Sequence, residues 1–96
     1  MRIVGRQRLD SFCGKHSDAR KWIANWISEV EGTAWINPQA IKDRYVSASL
    51  LPGNVVVFNV KGNDYRLEVV VAYRTSIVTV IWIGTHAEYD QRNAKR

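Results

Sequence analysis

The 96-residue chain has one cysteine, two histidines, two prolines and one methionine. A lone thiol, Cys13, closes no internal disulfide, and there is no C-x-x-C pair or His/Cys cluster to offer a zinc site, so neither metal nor other cofactor is expected. Long apolar runs are missing as well. The longest, Ile77 to Ile83, is seven residues, against the roughly 20 a helix needs to cross a bilayer, so no membrane partner is expected. Met1 to Gly5 reads as a short strand and not as a charged-then-apolar leader, which leads us to expect a reduced, cytoplasmic protein. No repeat, low-complexity block or Pro/Gly/Ser linker divides the sequence, so residues 1–96 read as a single domain.

What is present suffices for one core. Apolar residues make up 46% of the chain and include four tryptophans, so the chain can fold without disulfides or metal. Fourteen Lys and Arg against nine Asp and Glu leave a formal charge of +5. Such a balance favours a polyanionic partner, although it also serves solubility alone.

The first half carries helical spacing. Leu9, Phe12, Cys13 and His16 fall at i, i+3, i+4 and i+7, and Ala19, Trp22, Ile23, Trp26, Ile27 and Val30 repeat the pattern more strongly. Asp18 reads as a cap between these two helices and Gly32 as the stop. Cys13 reads as a core thiol, His16 as a partner of the helix dipole, and Trp22 and Trp26 as packing residues. Arg6, Arg8, Lys15, Arg20 and Lys21 remain on outer faces, either as a solvated surface or as contacts to RNA phosphates. Asn37 before Pro38 predicts a capped short helix over Gln39 to Arg44.

From Val55 the period changes to two, predicting strands over Val55–Lys61, Asp64–Arg74 and Ile77–Gly84. A two-residue turn at Gly62 and Asn63 pairs Val60 with Tyr65, Asn59 with Arg66, Phe58 with Leu67 and Val56 with Val69. That register collects Val56, Phe58, Val60, Tyr65, Leu67, Val69, Val71 and Tyr73 on a core face and leaves Asn59, Lys61, Arg66 and Glu68 on an uncovered one. A second two-residue turn, at Thr75 and Ser76, would put Val78, Val80 and Trp82 in the core and Thr79, Ile81 and Ile83 on the polar face. Another register would make Trp82 a stacking candidate. Thr85-His86-Ala87-Glu88 is a capping box opening a final helix, on which His86, Tyr89 and Asp90 share one side.

These segments assemble Asn59, Lys61, Asn63, Arg66, His86, Tyr89 and Asp90, a set suited to metal-independent RNA scission. Attack of a ribose 2′-oxygen on phosphorus needs a proton acceptor, a proton donor and fixed cations. His86 and Tyr89 are the proton-handling candidates and Lys61 and Arg66 the cations, while Asp90 is placed to orient the imidazole. Asn63, Tyr65 and Glu88 also have structural readings, as turn, core and cap residues. The same basic face suits a non-catalytic RNA- or ribosome-binding module, or a surface that docks an acidic partner.

The stretches Val57–Leu67 (VFNVKGNDYRL) and Thr85–Asp90 (THAEYD) resemble the two signature motifs of HigB-family toxins within the RelE-like mRNA interferases. The helical half, with Trp35, Pro38 and Ile41-Lys42, is similar too. The resemblance implies an α+β, RelE-like fold: an N-terminal helical hairpin on a curved antiparallel sheet of three to four strands, with a short C-terminal helix. It also implies an endoribonuclease that cleaves mRNA on the translating ribosome. The implied partner is a helix-turn-helix, HigA-like antitoxin, with operator DNA reached only through the toxin–antitoxin complex. Relatives carry a Lys or Arg in the strand before the second motif, where this chain has Ile81 and Trp82; Arg74 and Arg92 are the neighbouring cations available to replace it. Asn59, Asn63, Arg74, Arg92, Arg20 and Lys21 complete the expected RNA-binding set.

Overall fold

A computed structural model describes residues 1–94; Lys95 and Arg96, the end of the expected 1–96 domain, lie outside the described residues. The chain runs through β1 (Arg2–Val4), α1 (Arg6–Lys15), a 3₁₀ turn at Ser17–Ala19, α2 (Arg20–Glu31) and α3 (Pro38–Arg44). It continues with β2 (Ser49–Leu51), β3 (Val55–Val60), β4 (Tyr65–Ala72), β5 (Ile77–Thr85) and α4 (His86–Ala94). The expected α+β class holds, but the sheet has five strands in the order β1-β5-β4-β3-β2. It is mixed and not purely antiparallel, because β1 pairs with β5 in parallel. No helix among the described residues is long and apolar enough to cross a membrane.

The helical stripes pack as their spacing predicts. Leu9, Phe12, Ala19, Ile23, Trp26, Ile27 and Val30 are buried with the core face of the sheet, and Cys13 and Trp22 pack against them partly buried. Burial raises the Cys13 thiol above its ordinary value, which keeps it protonated. Asn37 caps α3 by accepting from the Ala40 amide at 2.9 Å. Phe58 is the centre of an aromatic group, with Tyr45 edge-on at 5.1 Å, Trp26 at 5.6 Å and Trp35 at 6.2 Å between ring centroids.

The β3–β4 register is the expected one, from Val60 opposite Tyr65 to Val56 opposite Val69. Its turn differs in detail: the left-handed residues are Lys61 (φ 51°) and Gly62 (φ 68°), one position earlier than a turn centred on Gly62 and Asn63 requires. The second hairpin departs further. Ala72 pairs with Ile77, so four residues, Tyr73 to Ser76, form the connection in place of two. A bulge follows, in which Val69 faces Val80 while Glu68 faces Trp82, leaving Ile81 as the extra residue. Beyond it the alternation of faces is inverted. Ile83, opposite Leu67, packs against the core, whereas Trp82, opposite Glu68, is on the outer face.

That outer face is not uncovered as expected. Val57, Glu68 and Arg66 on it are 2%, 3% and 9% exposed. The helix α4 packs against it: Arg92 Nε reaches Glu68 Oε1 at 3.4 Å, its guanidinium lies 5.5 Å from the Trp82 ring, and the Tyr89 ring is tilted against the same indole at 6.0 Å.

Candidate functional site

The site forms at one corner, where the β3–β4 turn meets the end of β5 and the start of α4. The capping box is present as predicted: the Thr85 amide donates to Glu88 Oε1 at 2.8 Å and the Glu88 amide donates to Thr85 Oγ1 at 3.1 Å. The bond from the Thr85 amide is the main reason the Glu88 carboxyl is held below its ordinary range. The cap fixes the first turn of α4, and the His86 amide donates to the Asp64 carbonyl at 3.1 Å, tying that turn to the hairpin.

On this first turn, His86 Nδ1 lies 3.0 Å from Asp90 Oδ2, the arrangement in which a protonated Nδ1 donates to the carboxylate. The imidazole is about half exposed, and Nε2 has no hydrogen bond or ion pair among the described residues. Such a pair fixes the tautomer and leaves the second nitrogen available for proton transfer.

Arg66 pairs across the sheet with Gly84, two residues before His86. Its Nη1 donates to the carbonyls of Asn63 (3.2 Å) and Tyr65 (3.1 Å), and its Nη2 donates to Asn63 Oδ1 at 2.6 Å. Arg66 is thereby bound to the same turn that anchors His86. Three of the five guanidinium N–H groups are engaged, so Nε–H and one Nη2–H remain for another acceptor. Asn63 is a structural partner of Arg66 as well as a turn residue.

Lys61 is not beside them. Its Nζ lies 3.0 Å from Asp18 Oδ2, and the Tyr65 hydroxyl donates to Asp18 Oδ1 at 2.7 Å. Tyr65 faces the helices, so Lys61 is bound on the helical side; its left-handed backbone breaks the strand alternation that had assigned it to the Arg66 face. Asp18 is likewise not a helix cap, since its carboxylate is committed to these two partners. The Tyr65 bond, then Lys61, holds the Asp18 carboxyl below its usual range, while the same contact pushes the Tyr65 hydroxyl up to about 12 and raises Lys61.

The remaining candidates divide by position. Tyr89 and Arg92 belong to the corner through Trp82, and Asn59 is half-buried opposite Arg66. Arg74 does not: it follows the far end of β4, and the strand from Arg66 to Ala72 alone spans about 20 Å. It therefore cannot supply the cation missing at Ile81, whereas Arg92 lies over the adjacent Trp82. Arg20 donates to the Cys13 carbonyl at 3.4 Å and Lys21 is exposed; both begin α2, on the Asp18 side. No three His, Cys, Asp or Glu side chains among the described residues come together as a metal site.

The sequence puts Trp82 in the core for a two-residue turn at Thr75 and Ser76 and outside it for another register; the register is another one, and Gly84 carried a signal of it. A Cβ there would lie 2.5 Å from Trp82 Cζ2 and 2.6 Å from Cη2, so the indole lies directly over the glycine. A glycine inside a strand marks a bulge or a close approach, and here both are nearby.

The model of the HigB toxin family, the RelE-like toxic component of a toxin-antitoxin system, matches residues 19–92. The chain belongs to the HigB toxin family. As a HigB-family protein it is the toxic component of a toxin–antitoxin system and has an antitoxin as its partner. The matched segment contains the whole corner, from Asn63 to Arg92, and begins after α1. No curated protein matches the sequence.

Proposed function

We propose that this HigB-family toxin is a metal-independent endoribonuclease acting on mRNA, engaged on the translating ribosome in the cytoplasm, and that a helix-turn-helix antitoxin of the HigA type restrains it. The observation that carries this reading is the half-exposed His86 imidazole, paired with Asp90 on a helix turn that is tied to the same hairpin as Arg66.

In the reaction a ribose 2′-oxygen attacks the adjacent phosphorus. The O2′–P bond forms and the P–O5′ bond breaks, giving a 2′,3′-cyclic phosphate and a free 5′-hydroxyl. His86 Nε2 handles a proton, either accepting that of the 2′-hydroxyl or returning one to the departing 5′-oxygen, and Tyr89 is the second proton-handling group. The two unengaged donors of Arg66 are held in place before charge develops on the phosphoryl oxygens, which is where fixed cations act most strongly. Arg92 beside Trp82 takes the place of the cation missing at Ile81. Asn59 is a further RNA contact.

The test is induction of the toxin without antitoxin, followed by mapping of new RNA 5′ ends. Codon-phased cuts in translated messages are expected, and His86→Ala should abolish them while leaving antitoxin binding intact. Undiminished cleavage by His86→Ala would remove the imidazole from the mechanism. One observation favours a non-catalytic RNA- or ribosome-binding module instead: Arg66 is only 9% exposed and spends most of its donors on the turn. Growth arrest with intact messages is the result that reading requires.

A further inference from the structure

The middle of the outer sheet face holds a carboxylate between two apolar neighbours. Glu68 is 3% exposed and is paired across the sheet with Val57 on β3 and Trp82 on β5. A charge in such surroundings is costly unless a counter-charge comes with it. Helix α4 supplies one, for Arg92 Nε donates to Glu68 Oε1 at 3.4 Å.

Arg92 is held on two sides at once. Its guanidinium lies 5.5 Å from the Trp82 ring, within cation–π reach, and the indole is itself laid against Gly84, where a Cβ would come within 2.5 Å of it. The guanidinium thus has a seat made of a ring for its flat face and a carboxylate for Nε. Both parts of the seat come from strands and neither from α4. Nη1 and Nη2 have no hydrogen bond or ion pair among the described residues, and the side chain is 34% exposed, so four of the five guanidinium N–H groups remain for another acceptor. A guanidinium gripped through Nε offers a phosphate the parallel donors of its Nη edge, a presentation that lysine cannot make.

Without that seat Arg92 is a long side chain on a helix that buries none of its residues, with many rotamers open to it. A cation contributes most to a reaction when it is fixed before charge develops. We propose that Glu68 is a positioning residue of the cleavage site and acts through Arg92: with Trp82 it forms a strand-borne seat that turns a side chain of α4 into a fixed cation. This rests on the nuclease reading above, in which Arg92 replaces the cation missing at Ile81. Glu68 itself is too buried to touch the substrate.

The seat is tested by emptying it. Arg92→Ala leaves the carboxylate and the ring in place, and N-methylguanidinium added to the buffer is the probe. Cleavage of a message in a reconstituted translation reaction should fall at least tenfold in Arg92→Ala and about tenfold in Glu68→Gln. Methylguanidinium should restore Arg92→Ala severalfold and should leave the double variant, Glu68→Gln with Arg92→Ala, unrestored. In NMR spectra the Trp82 indole N–H should shift when methylguanidinium is added to Arg92→Ala and stay in place in the double variant. Circular dichroism of each variant confirms folding. A residue that only supports the fold lowers activity without creating a recovery that depends on guanidinium.

Glu68→Gln cleaving within twofold of wild type overturns the proposal. So does equal recovery, or an equal indole shift, in the single and double variants. The nuclease reading fails separately: wild-type protein that leaves translated messages intact, with an indole shift only where Glu68 is present, keeps the seat and withdraws its use in cleavage together with that reading.

Discussion

Arg66 is the residue at which structure and chemistry are hardest to separate, and its truncation makes a quantitative test. In Arg66→Ala three hydrogen bonds are lost, two to main-chain carbonyls and one to Asn63 Oδ1. Asn63 is exposed, so water can replace the guanidinium on its two oxygens. The bond to the Tyr65 carbonyl is buried, and a buried bond from a charged donor contributes about 1.5–3 kcal/mol. Loss of the arginine stem from a position 9% exposed adds packing, giving a total of about 2–3 kcal/mol. For a domain of this size that lowers Tm by roughly 10–20 °C. Asn63→Ala, which removes only the Oδ1 partner, should cost less than about 1 kcal/mol. Thermal melts by circular dichroism measure both, with cleavage assayed well below the lower Tm. An Arg66→Ala protein melting within about 3 °C of wild type would refute the claim that this guanidinium holds the turn. It would also let any loss of activity be assigned to phosphate contact alone.

Three further outcomes follow from the same contacts. Gly84→Ala should push the Trp82 indole off the strand, because a Cβ would lie 2.5 Å from its ring; the Trp82 indole N–H resonance should shift in an NMR spectrum that otherwise keeps the core pattern. Phe58→Ala, which opens a cavity among Trp26, Trp35 and Tyr45, should cost about 3–5 kcal/mol, read as a lower urea midpoint. Glu88 has a folded-state pKa depressed below its ordinary 4.5, so the stability it lends α4 is present above that value and lost as pH falls through the depressed one. The Thr85 amide shift should report that transition, and Glu88→Gln should abolish it.

Periodicity made much of the fold legible. The stripes of α1 and α2, the Asn37 cap, the β3–β4 register and the capping box at Thr85 all rest on local patterns whose physics is complete within a few residues. The parts that were not legible depend on partners distant in sequence. Lys61 lies in an alternating pattern, yet a carboxylate 43 residues away holds it on the other side. Nothing local distinguishes a four-residue β4–β5 connection from a two-residue one, and alternation cannot reveal a bulge between two apolar stretches. The covering of the outer face by α4 was likewise hidden, because α4 is polar enough to read as a solvated helix and packs on Trp82 and Glu68 through Tyr89 and Arg92 instead of an aliphatic stripe.

Ile81 gives β5 a length that substitution cannot mimic. Deleting this single codon would rejoin the strand in simple alternation with its faces kept, because Val80 would be followed directly by the outward tryptophan opposite Glu68 and the inward isoleucine opposite Leu67. On this strand, then, the effect of a frame-preserving deletion depends on whether it removes the bulged residue or a paired one, a distinction that counting apolar residues would miss.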